Sequence, residues 1–204
     1  MMTFYYCKEK RKDQAMNYLK KNKSLLIQVC ILIIIGIIVL FINQPKVEKG
    51  LLEKYGLNGL SVEDMVLRLD SITNESPGFK ASITGTKLIM KEKEESIEYD
   101  IPIEKFYLSF APYINVIHPC GTHSLMSCRG ELINETFEIQ IIDKNDNVIY
   151  SGLNTSMNNG FIGLWLPKGI EANLVIKYQD LSIETEITTY EDDDTCLTTP
   201  LRLE

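Results

Sequence analysis

From Phe79 onward the spacing of apolar residues in this 204-residue chain changes toward a period of two, and that period decides what the larger part of it can become. Successive side chains of a strand point to opposite faces, so a period of two buries one face of a sheet, whereas a helix needs apolar residues three and four apart. The alternation is clearest at Phe137, Ile139 and Ile141 and again at Leu174, Ile176 and Tyr178. Strand candidates are Ser82 to Met90, Ser96 to Ile101, Phe106 to Phe110, Phe137 to Ile142, Val148 to Ser151, Phe161 to Leu166, Ala172 to Tyr178 and Leu181 to Thr188. Asp143 to Asn147 and Tyr178 to Asp180 carry hairpin-type turn residues. About eight short strands with regular turns predict an antiparallel sandwich or barrel.

Ahead of Phe79 the period is helical. Leu51 to Leu57 and Ser61 to Ile72 read as short amphipathic helices, the second with Val62, Met65, Val66 and Leu69 on one face and a capping-box pattern at Ser61 and Asp64. Helices this short are stable only when docked, so packing against the following domain is expected, with homodimerisation the alternative use of their apolar faces. Asn43 to about Glu48 is a polar linker holding Pro45, and Asn74 to Gly78 supplies turn chemistry. The expected class is therefore α+β: short N-terminal helices followed by a mainly antiparallel, β-sandwich-like domain.

The front of the chain is of another kind. Leu25 to Ile42 is an 18-residue run without a charge, and at about 1.5 Å per residue it matches the hydrocarbon core of a bilayer, so it reads as a transmembrane helix. Before it, seven basic side chains stand against two acidic ones, a net charge of +5 that keeps this end cytoplasmic. The whole chain carries −7, which leaves −12 for the part expected outside the cell. Such an acidic ectodomain speaks against nucleic acid or anionic lipid as partner. NQPKVEKG, which follows the run, lacks the small-residue cleavage site of a secretory signal, so the anchor is expected to be retained. The organisation read from sequence is a basic cytoplasmic head (1–24), a transmembrane helix (25–42), a linker with two short helices (43–79) and a β-rich domain (80–204).

The chemistry is concentrated in that last part. His118, Cys120, His123 and Cys128 fall within eleven positions, together with Met126, and Cys196 lies near the C-terminus. Thiolate, thioether and imidazole are the ligands that soft or borderline ions such as Cu(I) and Zn(II) prefer. The interval between Cys120 and Cys128 is longer than in zinc knuckles, so clustering of ligand types is the better signal. A structural disulfide between Cys120 and Cys128, with Cys196 buried, is the competing reading. DKNDN at Asp143 to Asn147 lacks the glycine and glutamate of a calcium loop and reads as a turn. In GFIGLWLP, Phe161, Leu164, Trp165 and Leu166 have the size and apolarity of core.

Three blocks, FYLSFAPYINVIHPCGTHSLMSCRGEL, NNGFIGLWLPKGI and TCLTTPLRL, resemble the CueP family of bacterial extracytoplasmic copper-binding proteins, and the similarity runs from roughly Leu51 to the C-terminus. The front end departs from the family's cleavable or lipoprotein signals and suggests a membrane-tethered version. The resemblance implies copper binding and tolerance, reduction of Cu(II) by thiols, and passage of copper to exported copper enzymes such as superoxide dismutase. It carries the family's three cysteines onto Cys120, Cys128 and Cys196, and its histidines onto His118 and His123. Met126 is added for its soft sulfur. Two thiols that become a disulfide yield two electrons, enough for two Cu(II), while the third remains a ligand; Cys196 is then expected to fold back onto the Cys120 to Cys128 loop around a Cu(I) ion. No enzyme activity is expected beyond stoichiometric or slow thiol-dependent reduction.

Two rivals belong to other classes. A sortase-like transpeptidase would use His123, Cys196 and Arg202, although the acidic residues at Asp192 to Asp194 oppose thiolate activation. A structural envelope module would use a Cys120 to Cys128 bridge merely to staple a loop.

Overall fold

A computed structural model describes residues 31–34, 46–73 and 76–204. The basic head, most of the apolar run and the first half of the linker lie outside the described residues, and of the expected transmembrane helix only residues 31–34, helical and exposed, are described. No helix among the described residues is long and apolar enough to cross a membrane.

Two helices open the described fold, α1 (Lys46–Lys54) and α2 (Val62–Asp70). The first begins within the stretch expected to be a linker. The second starts where its cap requires: the Asp64 amide donates to Ser61 Oγ at 3.1 Å, while the Ser61 hydroxyl donates to the Asp64 carboxylate at 2.7 Å. This satisfies one of the helix's orphan amides. Met65, Val66, Leu69 and Asp70 form its buried face; a carboxylate on that face becomes important below.

Eleven strands follow: β1 (Phe79–Ile83), β2 (Lys87–Glu92), β3 (Glu95–Asp100), β4 (Lys105–Phe110), β5 (His123–Ser124), β6 (Thr136–Asp143), β7 (Val148–Thr155), β8 (Ile162–Pro167), β9 (Glu171–Tyr178), β10 (Leu181–Thr188) and β11 (Cys196–Leu197). They make three sheets in the orders β3-β2-β1-β5, β10-β9-β6-β7 and β11-β4-β8. All pairings are antiparallel except β11 on β4. The fold is thus α+β with a largely antiparallel, sandwich-like β domain, as the alternation predicts.

One strand candidate divides in two. Ser82 to Met90 is not continuous, because Thr84 Oγ1 accepts the amides of Thr86 at 3.3 Å and Lys87 at 3.0 Å and closes a side-chain-supported turn between β1 and β2. Gly85 is required at its tip: a Cβ there would sit 2.2 Å from the Glu191 carbonyl oxygen. The hairpin therefore abuts the acidic segment that leads into Cys196.

Two apolar cores result. The first joins Leu51, Leu57, Met65, Val66 and Leu69 of the helical segment to Ala81, Ile83, Leu88 and Met90 of the β3-β2-β1-β5 sheet, so the helices dock on the β domain. The second fills the sandwich with Phe106, Phe110, Phe137, Ile139, Ile141, Leu174 and Ile176. A small third cluster of Ala111, Cys128, Phe161 and Cys196 is separate from both.

Candidate metal centre

The third cluster forms where the C-terminal segment stitches two sheets together. The two-residue strand β11 pairs in parallel with β4, placing Cys196 beside Ser109 and Leu197 beside Phe110. On its other side the Cys196 amide donates to the Gly121 carbonyl at 2.8 Å. Thr195, one residue earlier, donates through Oγ1 to the Ile83 carbonyl at 2.6 Å and accepts the His123 amide at 3.0 Å. β5 in turn pairs with β1, so that His123 sits opposite Ile83. The tail therefore fixes Cys196 and His123 to the same edge.

There the sulfurs converge. Cys120 and Cys196 form a disulfide across 76 residues of sequence, with their Cα atoms 5.5 Å apart. Cys128 is the free cysteine among the described residues, is buried, and its Sγ lies 3.5 Å from that of Cys120. The bridge expected in the stapled-loop reading, Cys120 to Cys128, is not the one formed. The reason is the strand addition just described, which carries the tail cysteine into bonding range of Cys120.

One ring nitrogen of His123 and the three sulfurs all lie within 4.8 Å of one another. Metal–sulfur bonds of about 2.3 Å allow two sulfurs on one ion to be at most about 4.6 Å apart. A single small ion therefore fits this group after minor adjustment and reduction of the bridge.

The ring of His123 is fully buried. Its Nε2 is 2.9 Å from Asp70 Oδ1 and 3.1 Å from Ser109 Oγ. Its Nδ1 has no hydrogen-bond partner among the described residues. With Nε2 engaged, Nδ1 is the nitrogen left to serve a metal. Burial pushes the imidazole pKa down, but the hydrogen bond to the Asp70 carboxylate and the neighbouring Cys128 thiol push it up further, to about 9. Phe161 packs against the ring with centroids 4.9 Å apart.

Asp70 ends the buried face of α2 and is itself fully buried. Its carboxylate accepts from Tyr107 Oη at 2.7 Å and from Asn159 Nδ2 at 2.8 Å as well as from His123. Its backbone carbonyl also accepts from Asn159 Nδ2, at 2.9 Å. Burial first, then the charge of Asp70 and its hydrogen bond, raise the Tyr107 pKa well above 10, so its hydroxyl remains a donor.

The other sequence candidates lie elsewhere. His118 is exposed and outside the convergent group, and its backbone carbonyl accepts from Thr198 Oγ1 at 2.9 Å. Met126 is buried in the first core, while the thioether that packs against the sulfur cluster is that of Met157. Arg202 lines a surface cavity of about 310 Å³ with Tyr113, Val116 and Thr199. Cys196 is 1% exposed and disulfide-bonded, so this state has no nucleophile for sortase-like chemistry. The DKNDN segment is a turn, its Asp143 Oδ1 accepting the amides of Asn145 and Asn147 at 2.8 Å each.

Sequence reasoning missed Asp70, Ser109, Asn159, Met157 and the role of Thr195. A signal for Asp70 was present: it stands four residues after Val66 on an otherwise apolar stripe, where a charge is expensive without partners.

A cluster of three cysteines, two of them buried, and a carboxylate-backed histidine, on a β-rich scaffold with docked helices, carries the donor set of a thiol-rich metal site. The model of the family described as periplasmic copper-binding protein CueP matches residues 64–201. A solved crystal structure described as that of S.CueP is 39% identical, covers 77% of this chain and 97% of its own, and superposes with a TM-score of 0.73. No curated protein matches. The chain belongs to the CueP family.

Proposed function

We propose that this chain is a membrane-tethered, extracytoplasmic copper-binding protein that holds Cu(I) through Cys120, Cys128, Cys196 and His123. The observation that carries this reading is the convergence of three sulfurs and one ring nitrogen within 4.8 Å, three of the four residues being buried. Soft thiolates with a borderline imidazole favour Cu(I) over hard cations. Membership of a family described as periplasmic and copper-binding supports both the ion and the compartment. The tether is the apolar run 25–42 behind the basic head 1–24, and the segment from 43 onward is exported. His118 and Met126 are left out of the ligand set because neither side chain belongs to the convergent group.

The disulfide supports a redox step. In the reduced chain the thiols of Cys120 and Cys196 each give one electron to Cu(II); one S–S bond forms, two protons leave, and two Cu(I) result. In that oxidised form only Cys128 and His123 remain, retaining one Cu(I) while the other leaves the site, whereas all four donors serve the ion only while the bridge is open. The retained Cu(I) is then passed to an exported copper enzyme such as superoxide dismutase, as the family resemblance implies. A Cys₃His donor set is also a common structural zinc set, which makes Zn(II) the competing ion.

The test is titration of the reduced full-length chain with Cu(I) against a chromophoric chelator and with Zn(II) in parallel, with thiols counted after Cu(II) addition. Tight Cu(I) binding that weakens at least tenfold in each of Cys120→Ser, Cys128→Ser and Cys196→Ser, with loss of two thiols per two Cu(II), is expected. Zinc outcompeting Cu(I), or unchanged Cu(I) affinity in all three variants, would overturn the reading.

A further inference from the structure

Cu(I) binding by thiolates alone has no use for Asp70, yet the fold buries this carboxylate against the ring of His123. It is 0% exposed. A buried carboxylate is costly unless every acceptor site is served. Here three donors serve it, from three parts of the chain: Tyr107 on β4, Asn159 in the turn before β8, and His123 on β5. Room for those donors is built in. A Cβ on Gly163 would lie 1.8 Å from the Tyr107 hydroxyl. Gly130 and Gly160 pass so closely that a Cβ on either would meet the other's carbonyl oxygen at 2.5 to 2.6 Å, and the Gly130 amide donates to the Asn159 carbonyl at 2.7 Å.

The consequence for His123 is geometric. A carboxylate 2.9 Å from Nε2 keeps the hydrogen on that nitrogen, because an ionised carboxylate only accepts. In the neutral ring, the form that ligates a metal, the lone pair then resides on Nδ1, the one ring nitrogen with no hydrogen-bond partner among the described residues. Metal-ligating histidines are commonly held in this way by a carboxylate on the far nitrogen, which fixes ring orientation and raises ligand basicity.

We propose that Asp70 is the positioning residue of the metal centre: through the Nε2 hydrogen of His123 it presents Nδ1 to the ion held by the sulfurs, and it adds a buried negative charge that favours a cation there. This rests on the Cu(I) reading above. It extends the site from the cysteine loop to the end of α2, so the docked helical segment belongs to the metal centre and not to the scaffold alone.

The experiment is Cu(I) titration and copper X-ray absorption on the full-length chain, native and Asp70→Asn. It is accompanied by nitrogen-15 NMR of His123 in a His118→Gln background loaded with Cu(I). Native protein is expected to show one nitrogen among the sulfurs around copper, with the proton on Nε2 and the metal-shifted resonance on Nδ1. Asp70→Asn, nearly isosteric but uncharged, is expected to weaken Cu(I) binding 10- to 100-fold and to reduce the nitrogen contribution. Native affinity with an unchanged nitrogen shell in Asp70→Asn would overturn the proposal. So would copper attached to Nε2, or a sulfur-only shell in the native chain, which would leave the thiolate reading intact. Failure of the native chain to bind Cu(I) would instead overturn the proposed function and this inference with it. Should Asp70→Asn not fold, the NMR and absorption spectra of the native chain decide the matter unaided.

Discussion

Cys128 Sγ stands 3.5 Å from Cys120 Sγ while Cys120 is already bonded to Cys196, so the half-exposed Cys120 is the shared member of two candidate pairs. Non-reducing peptide mapping of the oxidised chain should yield a Cys120–Cys196 crosslink and an alkylatable Cys128 only after unfolding. Replacing Cys196 with Ser should redirect the bridge to Cys120 and Cys128, because those sulfurs need move only slightly to reach bonding distance. A Cys120–Cys128 crosslink in the native chain would count against the arrangement of the tail strand.

The bridge closes a loop of 76 residues, for which chain-entropy arguments give a stabilisation of about 4 kcal/mol. Reduction should therefore lower the unfolding temperature markedly. Cu(I) added under reducing conditions should restore much of the loss, since a ligand that binds the folded state stabilises it by mass action. Differential scanning calorimetry of oxidised, reduced and reduced copper-loaded chain distinguishes this from a passive staple, for which copper would restore nothing.

The sheet framework was legible because burial on one face forces alternation, which the sandwich strands Phe137 to Ile141 and Leu174 to Ile176 display directly. The convergent cluster was legible in part, because residue type alone marks Cys120, Cys128, Cys196 and His123, which the fold brings together. Proximity in sequence misled for His118 and Met126: one faces solvent, the other fills the first core. The pairing of Cys120 with a residue 76 positions away follows from strand addition at β4, a long-range event with no local signature. Asn159 and Tyr107 were hidden for the same reason, their roles being set by which elements meet at Asp70.

His123 should give the oxidised, metal-free chain a distinct pH dependence. Its folded pKa is raised from 6.5 to about 9, so the stabilisation it supplies is fully present below pH 6.5 and is lost as the pH rises through about 9. The size implied is about 3 kcal/mol. Denaturant unfolding of the native chain and of His123→Gln between pH 6 and 10 should show a stability gap that narrows across that window. A gap independent of pH would mean that the imidazole is neutral throughout.

Glu131 should act in the opposite direction, on the loop that leads to His118 and Cys120. Its carboxylate accepts the amides of Ile114 and Asn115 at 2.8 Å each and of Val116 at 3.3 Å, and the Asn115 side chain at 2.8 Å. Burial raises its pKa, but these hydrogen bonds outweigh that effect and depress it to about 2. The stabilisation is therefore present above pH 4.5 and lost as the pH falls through about 2. Glu131→Gln keeps one acceptor and removes the charge, and should cost about 1–3 kcal/mol at neutral pH. Hydrogen exchange at Ile114 to Val116 should accelerate in that variant, while exchange in β9 stays as in the native chain.

Thr195 joins the two halves of the candidate metal centre through a single hydroxyl, donating to Ile83 on β1 and accepting the His123 amide. Thr195→Val preserves shape but strands a buried amide and a buried carbonyl, each costing about 1–3 kcal/mol when left unpaired. The damage should not stop at stability. Cys196 is the next residue, and its register against Ser109 depends on the same short strand. Thr195→Val should therefore weaken Cu(I) binding by the reduced chain although no donor atom is removed, whereas Thr188→Val, on the exposed side of β10, should leave it unchanged. Equal Cu(I) affinity in the two variants, measured by chelator competition on folded protein, would show that the tail strand holds Cys196 without help from this hydroxyl.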